Sequence, residues 1–146
     1  MNRCDTEFDL AEFLPYQLAV AAARVSRDFA EYYRAEFDLS IPEWRVLAHL
    51  SQAGTVSVRE IHARVDMDKS KVSRAAARLE AAGHISKRGH ATDGRLVELT
   101  LTEQGHDVVA RILPLALRYQ ARLEEHLGAQ DAAALRRALR KIVEDA

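Results

Sequence analysis

Residues 55–102 constrain this chain more tightly than any other stretch. Ser57-Val58-Arg59-Glu60 is a capping box that opens a short helix with Ile61 and Val65 facing inward. A tight turn leads to Asp68, the expected cap of a second helix whose buried stripe is Val72, Ala75, Ala76 and Leu79. That helix ends at Gly83. Two β-prone runs follow, over 84–90 and 96–101, joined by the polar tip Thr92-Asp93-Gly94-Arg95. Helix, turn, helix and β-hairpin in this order is the layout of a winged helix-turn-helix, which lays one helix in the DNA major groove.

The residues left facing outward suit that layout. Lys69, Ser70, Ser73, Arg74 and Ala77 share one face of the second helix, with Arg78 at its edge. Small and basic side chains let a backbone approach a duplex closely while offering hydrogen bonds to bases and phosphates. Between Asp68 at the cap and Glu80 near the end, the face carries no acid. The net charge of −1 argues against a general polyanion binder, yet its distribution is uneven. Residues 55–95 hold nine Lys/Arg against five acids, so the basic middle is flanked by acidic ends. That is the footprint of a DNA-facing module on a neutral frame.

The flanks read as helices. Phe8, Leu10, Phe13, Leu14, Leu18, Ala22, Val25, Phe29, Tyr32 and Tyr33 predict one helix over 8–37, with Pro15 marking either its true start or a kink. Ser40-Ile41-Pro42-Glu43 opens the next, with Ser40 as cap and Glu43 as the reciprocal acid. Thr102 caps a long helix to about Leu127, with a bend expected at Pro114, and Gly128 breaks it. A last helix carries Leu135, Leu139, Ile142 and Val143 on one face. The fold class is therefore mainly α with a small β-hairpin wing: a winged helix-turn-helix over 40–102 within a single domain of 1–146. The segments 1–39 and 103–146 carry apolar faces too wide for the small domain between them, and a second copy of the chain would bury them. A homodimer is expected.

Other classes find little support. No apolar run approaches the roughly 20 residues that span a membrane, and Met1 to Glu12 lacks a signal-peptide pattern. The lone cysteine, Cys4, cannot form an internal disulfide, so a cytoplasmic protein is expected. Six histidines include no pair at metal-ligand spacing, and there is no glycine-rich phosphate loop, GxSxG or cysteine pair. No enzyme, metal or cofactor is expected. The alternatives kept are a winged-helix protein-interaction module and a redox-responsive regulator using Cys4.

In three places the chain resembles the MarR family of bacterial transcription regulators. Ser40-Ile41-Pro42-Glu43-Trp44-Arg45-Val46-Leu47 resembles the family's second helix. Met67-Asp68-Lys69-Ser70-Lys71-Val72-Ser73-Arg74 with Leu79-Glu80-Ala81-Ala82-Gly83 resembles its recognition helix. Asp93-Gly94-Arg95 and Leu99-Thr100-Leu101-Thr102-Glu103-Gln104-Gly105 resemble its wing and following helix. The resemblance implies a dimer whose end helices interlock while two winged modules read a pseudo-palindrome in double-stranded DNA. It would place Arg95 in the minor groove, oriented by Asp93, and Ser70, Ser73 and Arg74 at base edges. Lys69, Lys71 and Arg78 would meet phosphates, joined by Ser57 and Arg59 at a helix N-terminus.

The resemblance also implies a small aromatic or phenolic acid, or its thioester, as effector. Tyr16, Arg24, Arg27, Trp44, Arg45 and His49 supply an aromatic wall and guanidinium groups suited to such an anion. One branch of the family senses hydroperoxides through a cysteine early in its first helix. Here Ala19 stands at that place, and Cys4 lies ahead of the helix, where a depressed thiol pKa is hard to arrange.

Overall fold

The computed structural model of the chain describes residues 7–89 and 97–144. It divides into two compact units, Met1–Ile41 and Pro42–Ala146.

In the first unit the expected single helix over 8–37 is shorter. A 3-10 turn, Leu10–Glu12, comes first, capped by the Asp9 carboxylate, which accepts the Ala11 N–H at 3.0 Å. Phe13 is extended, and helix α1, Leu14–Phe37, starts behind it with Pro15 in its first turn. Of the two roles open to Pro15, the start of the helix is the observed one: a proline lacks the N–H that the first turn does not use. The helix ends at Asp38, in the left-handed conformation at φ 53°, whose N–H reaches the Arg34 carbonyl. Phe29 packs edge-on to Tyr33 with ring centroids 5.2 Å apart. Ala30, Tyr33 and Leu39 are buried.

The second unit is built around the helix-turn-helix. Helix α2, Ile41–Ala53, buries Val46, Leu47 and Leu50. A two-residue strand β1, Val56–Ser57, leads directly into α3, Val58–Val65. Helix α4 is Lys69–Ala81, and strands β2, Ile85–Gly89, and β3, Val97–Leu101, follow. The expected two-stranded wing is therefore part of a three-stranded antiparallel sheet in the order β1-β3-β2. Register is Val56 opposite Leu99, and Ile85 opposite Leu101. Alternation along these strands sends Val56, Ile85, Leu99 and Leu101 into the core, where Leu99 is 0% exposed. Helix α4 packs on α3 and β2 through Val72, Ala75, Ala76 and Leu79, all at most 2% exposed. At about 1.5–3 kcal/mol for each large apolar side chain buried, Val72 and Leu79 alone anchor this helix by several kcal/mol.

Helix α5, Glu103–Leu127, starts from the expected Thr102 cap, whose hydroxyl accepts the Gly105 N–H at 3.0 Å. Thr102 also ties α5 to the end of α4: its hydroxyl donates to the Gly83 carbonyl at 2.7 Å and its N–H to the His84 carbonyl at 3.1 Å. Pro114 lies inside α5 without interrupting it. Gly128, at φ 86°, separates α5 from α6, Ala129–Glu144, and an Arg136–Glu124 ion pair joins the two helices. No helix among the described residues is long and apolar enough to cross a membrane.

Candidate nucleic-acid interface

The candidate interface is built from the first turn of α3, the outer face of α4 and the strands beside them. Two side-chain caps set its geometry. Ser57 accepts the Glu60 N–H at 3.1 Å and starts α3. Asp68 accepts the Lys71 N–H at 2.9 Å and starts α4. Between them the chain turns through Asp66, left-handed at φ 50°. The turn is pinned by a bond from the His62 ring Nδ1 to the Met67 carbonyl, which requires Nδ1 to carry its proton. No motif in the sequence marks His62 for this role.

On α4, Lys69, Ser70, Lys71, Ser73, Arg74, Ala77 and Arg78 are all exposed, while the four stripe residues face inward. The helix thus brings together the residues assigned to base edges and most of those assigned to phosphates. Ser70 is already engaged, its hydroxyl donating to the Asp68 carboxylate at 3.1 Å. The backbone N–H of Lys71 and the Ser70 hydroxyl hold the Asp68 carboxyl below its ordinary value of 3.8, and the nearby charges of Lys71 and Arg74 act in the same sense. A lowered folded-state value means the ionised cap adds stability that is fully present above the unfolded pKa and is lost as pH falls through the lower folded one. At pH 7, Asp68→Ala should lower the melting temperature most, and Asp68→Asn, which keeps the cap without the charge, should lower it less. As pH falls through the folded value, below 3.8, the gap between the wild type and Asp68→Ala should narrow toward the gap between Asp68→Asn and Asp68→Ala. An Ala defect that keeps its size across that fall would remove the charge from the explanation.

Two sequence expectations change here. Ser57 is 6% exposed and its hydroxyl is committed to the Glu60 N–H, so its side chain belongs to the framework and not to a phosphate contact. Arg59, two residues on, remains exposed on the first turn of α3. Arg78 is exposed, but it also pairs with Glu43 of α2 at 3.6 Å. Glu43, expected to answer the Ser40 cap, is itself 6% exposed. The remaining wing residues, Asp93 and Arg95, lie outside the described residues, as does Cys4. Lys87 and Arg88 on β2 are further exposed basic residues, and no motif in the sequence marks them for a role.

The proposed ligand residues separate by element. Tyr16, Arg24 and Arg27 lie exposed on α1, in the first unit. Trp44 and His49 are half-buried and Arg45 exposed on α2, in the second. The His49 ring Nε2 lies 3.3 Å from Arg64 Nη1 on α3, which makes Nε2 the acceptor, since a guanidinium only donates. Among the described residues no group of three or more His, Cys, Asp or Glu is placed to hold a metal ion.

Comparison with known proteins bears on this arrangement directly. The MarR family model matches residues 37–96. The regulator TtmR of Methylorubrum extorquens is 30% identical over 107 residues, 71% of this chain and 55% of its own length. The chain belongs to the MarR family. The crystal structure of a MarR/EmrR family regulator from Acinetobacter sp. ADP1 superposes with a TM-score of 0.84 at 25% identity, covering 94% of this chain and 97% of that one. The repressor CouR, bound to a 23-mer DNA duplex, gives 0.81 at 28% identity, covering 98% and 99%. This chain spans between 55% and 63% of the length of the first curated relatives it matches. The MarR family match contains every residue assigned to DNA, from Ser57 to Arg95, whereas α5 and α6 lie beyond it.

Proposed function

We propose that this MarR-family chain is a DNA-binding transcription regulator that reads a pseudo-palindromic operator as a homodimer. The observation that carries this reading is the outer face of α4. Lys69, Ser70, Lys71, Ser73 and Arg74 are all exposed on a helix whose other face is locked into the core. Such a helix presents cations and short hydroxyl side chains to a groove without having to reorder. The likeness to CouR, a repressor that binds a DNA duplex, supports the same role and favours repression. Arg95, with Asp93 to orient it, would add a minor-groove contact from the wing.

The dimer is supported by apolar side chains that the single chain leaves in solvent. Leu14 is 69% exposed, Leu117 65% and Val143 76%, on α1, α5 and α6 respectively. Exposed apolar area of this extent on helices marks an association surface. The effector is a small aromatic or phenolic acid or its thioester, held by residues among Tyr16, Arg24, Arg27, Trp44, Arg45 and His49; their residue types, aromatic rings and guanidinium groups, support it. A regulator of this kind works in the cytoplasm, where its DNA is.

The test is a comparison of two α4 side chains on a duplex selected by the protein from a randomised pool. Arg74→Ala should cost about 1–3 kcal/mol on that duplex and relax preference at one or two positions. Lys69→Ala should weaken selected and random duplexes alike and flatten the salt dependence. Equal losses on both duplexes for Arg74→Ala would remove it as a reader, and selection that enriches no sequence would overturn the proposal.

A further inference from the structure

The ion pair between Glu43 and Arg78 assigns Arg78 a different task from the one its position on α4 suggests. Resting on the DNA-reading role of α4, we propose that Glu43 and Arg78 are positioning residues: they form a strut that fixes the recognition helix against α2, and Arg78 is not a phosphate ligand. The argument starts from Glu43. Its side chain is 9% exposed, that of Arg78 64%, and the two approach to 3.6 Å. A carboxylate withdrawn from water is costly unless hydrogen bonds or a cation compensate it. Arg78 supplies that cation from the last turn of α4, reaching over the edge of the helix to the first turn of α2.

The consequence for DNA reading is geometric. The opposite end of α4 is held locally, by the Asp68 cap and by the His62 bond across the turn. Its flank is held by Val72, Ala75, Ala76 and Leu79. Apolar packing of small side chains such as alanine fixes distance better than rotation about the helix axis. A charged contact at the C-terminal end of α4 supplies the missing constraint, because rotating the helix separates guanidinium from carboxylate. Side chains that read base edges tolerate little displacement, whereas contacts to phosphates tolerate more. Arg78 bound toward α2 is also turned away from the role of neutralising a phosphate.

The experiment measures binding to a duplex selected by the wild-type protein and to a mixed-sequence duplex of equal length, across a salt series, with melting temperatures alongside. Arg78→Gln should lower affinity for the selected duplex about tenfold and leave the mixed-sequence duplex nearly unchanged, as a coupling between contacting residues would. The slope of log affinity against log salt should not change, since no phosphate loses its partner. Glu43→Gln should give a smaller loss of the same kind, and Arg78→Lys should recover part of it. In melting temperature the Glu43→Gln/Arg78→Gln double variant should lose less than the sum of the two single variants, as residues in contact do. The strut is overturned if Arg78→Gln reduces the salt slope by about one and weakens both duplexes equally. It is also overturned if Glu43→Gln leaves selected-duplex affinity at the wild-type value. Failure of the wild-type protein to select any sequence would instead count against the DNA-reading role itself.

Discussion

Replacing Leu139 and Ile142 with glutamate is expected to convert the protein into a monomer that no longer holds its selected duplex. The two side chains are 43% and 50% exposed on α6, and with Leu135 and Val143 they form one stripe at helical spacing. In the single chain they face solvent, so two carboxylates there cost the fold little. In a dimer interface the same carboxylates would lie unpaired in an apolar contact, where each removes the burial of a large side chain, about 1.5–3 kcal/mol, and adds a desolvation penalty. Four such substitutions across a symmetric interface exceed what a contact of ordinary strength withstands. Sedimentation should show the chain mass where the wild type shows twice that mass, and helical content should be unchanged. Loss of bivalent attachment should lower DNA affinity about a hundredfold or more. A variant that stays dimeric, or a wild type that is already monomeric at high micromolar concentration, would remove α6 from the interface.

What the sequence made legible follows the range of the forces involved. The caps at Ser57, Asp68 and Thr102 were readable because each bonds an N–H three residues away. Gly128 was readable as a break because its positive φ suits glycine. The α4 stripe was readable because its period alone sorts core from surface. Features set by distant partners were not. Strand β1 is two residues long, and only its pairing with β3 makes Val56 and Ser57 a strand. The same burial turned Ser57 from a candidate contact into framework. By spacing Arg78 is one more cation on an open face, and its pairing with Glu43 depends on a residue 35 positions away. His62 carried no signal because its partner is a backbone carbonyl. Apolar spacing continues through Phe8, Leu10 and Phe13 and so predicts a first helix longer than the observed one, whose start is set by Pro15 and the extended Phe13.

Gly105→Ala is expected to destabilise the protein even though alanine is the better helix former. Gly105 lies in the first turn of α5 and is buried. Helix propensity alone favours the substitution by about 1 kcal/mol. Packing opposes it. A Cβ at this position would lie 2.0 Å from the His84 carbonyl oxygen and 3.2 Å from a methyl of Leu101. The carbonyl cannot swing aside cheaply, because it accepts the Thr102 N–H at 3.1 Å and leads straight into β2. Relief would have to come from moving α5 away from the end of α4, loosening the Thr102 bond to Gly83 as well. Forcing a methyl into a packed site costs about 1–3 kcal/mol, and contact with fixed backbone puts this case at the upper end. The net loss is then about 2 kcal/mol, a fall of roughly 6 °C in melting temperature for a chain of this size. Because the same junction fixes where β2 leaves α4, affinity for the selected duplex should fall along with stability. An unchanged or raised melting temperature for Gly105→Ala would mean that α5 stands farther from His84 than this packing requires.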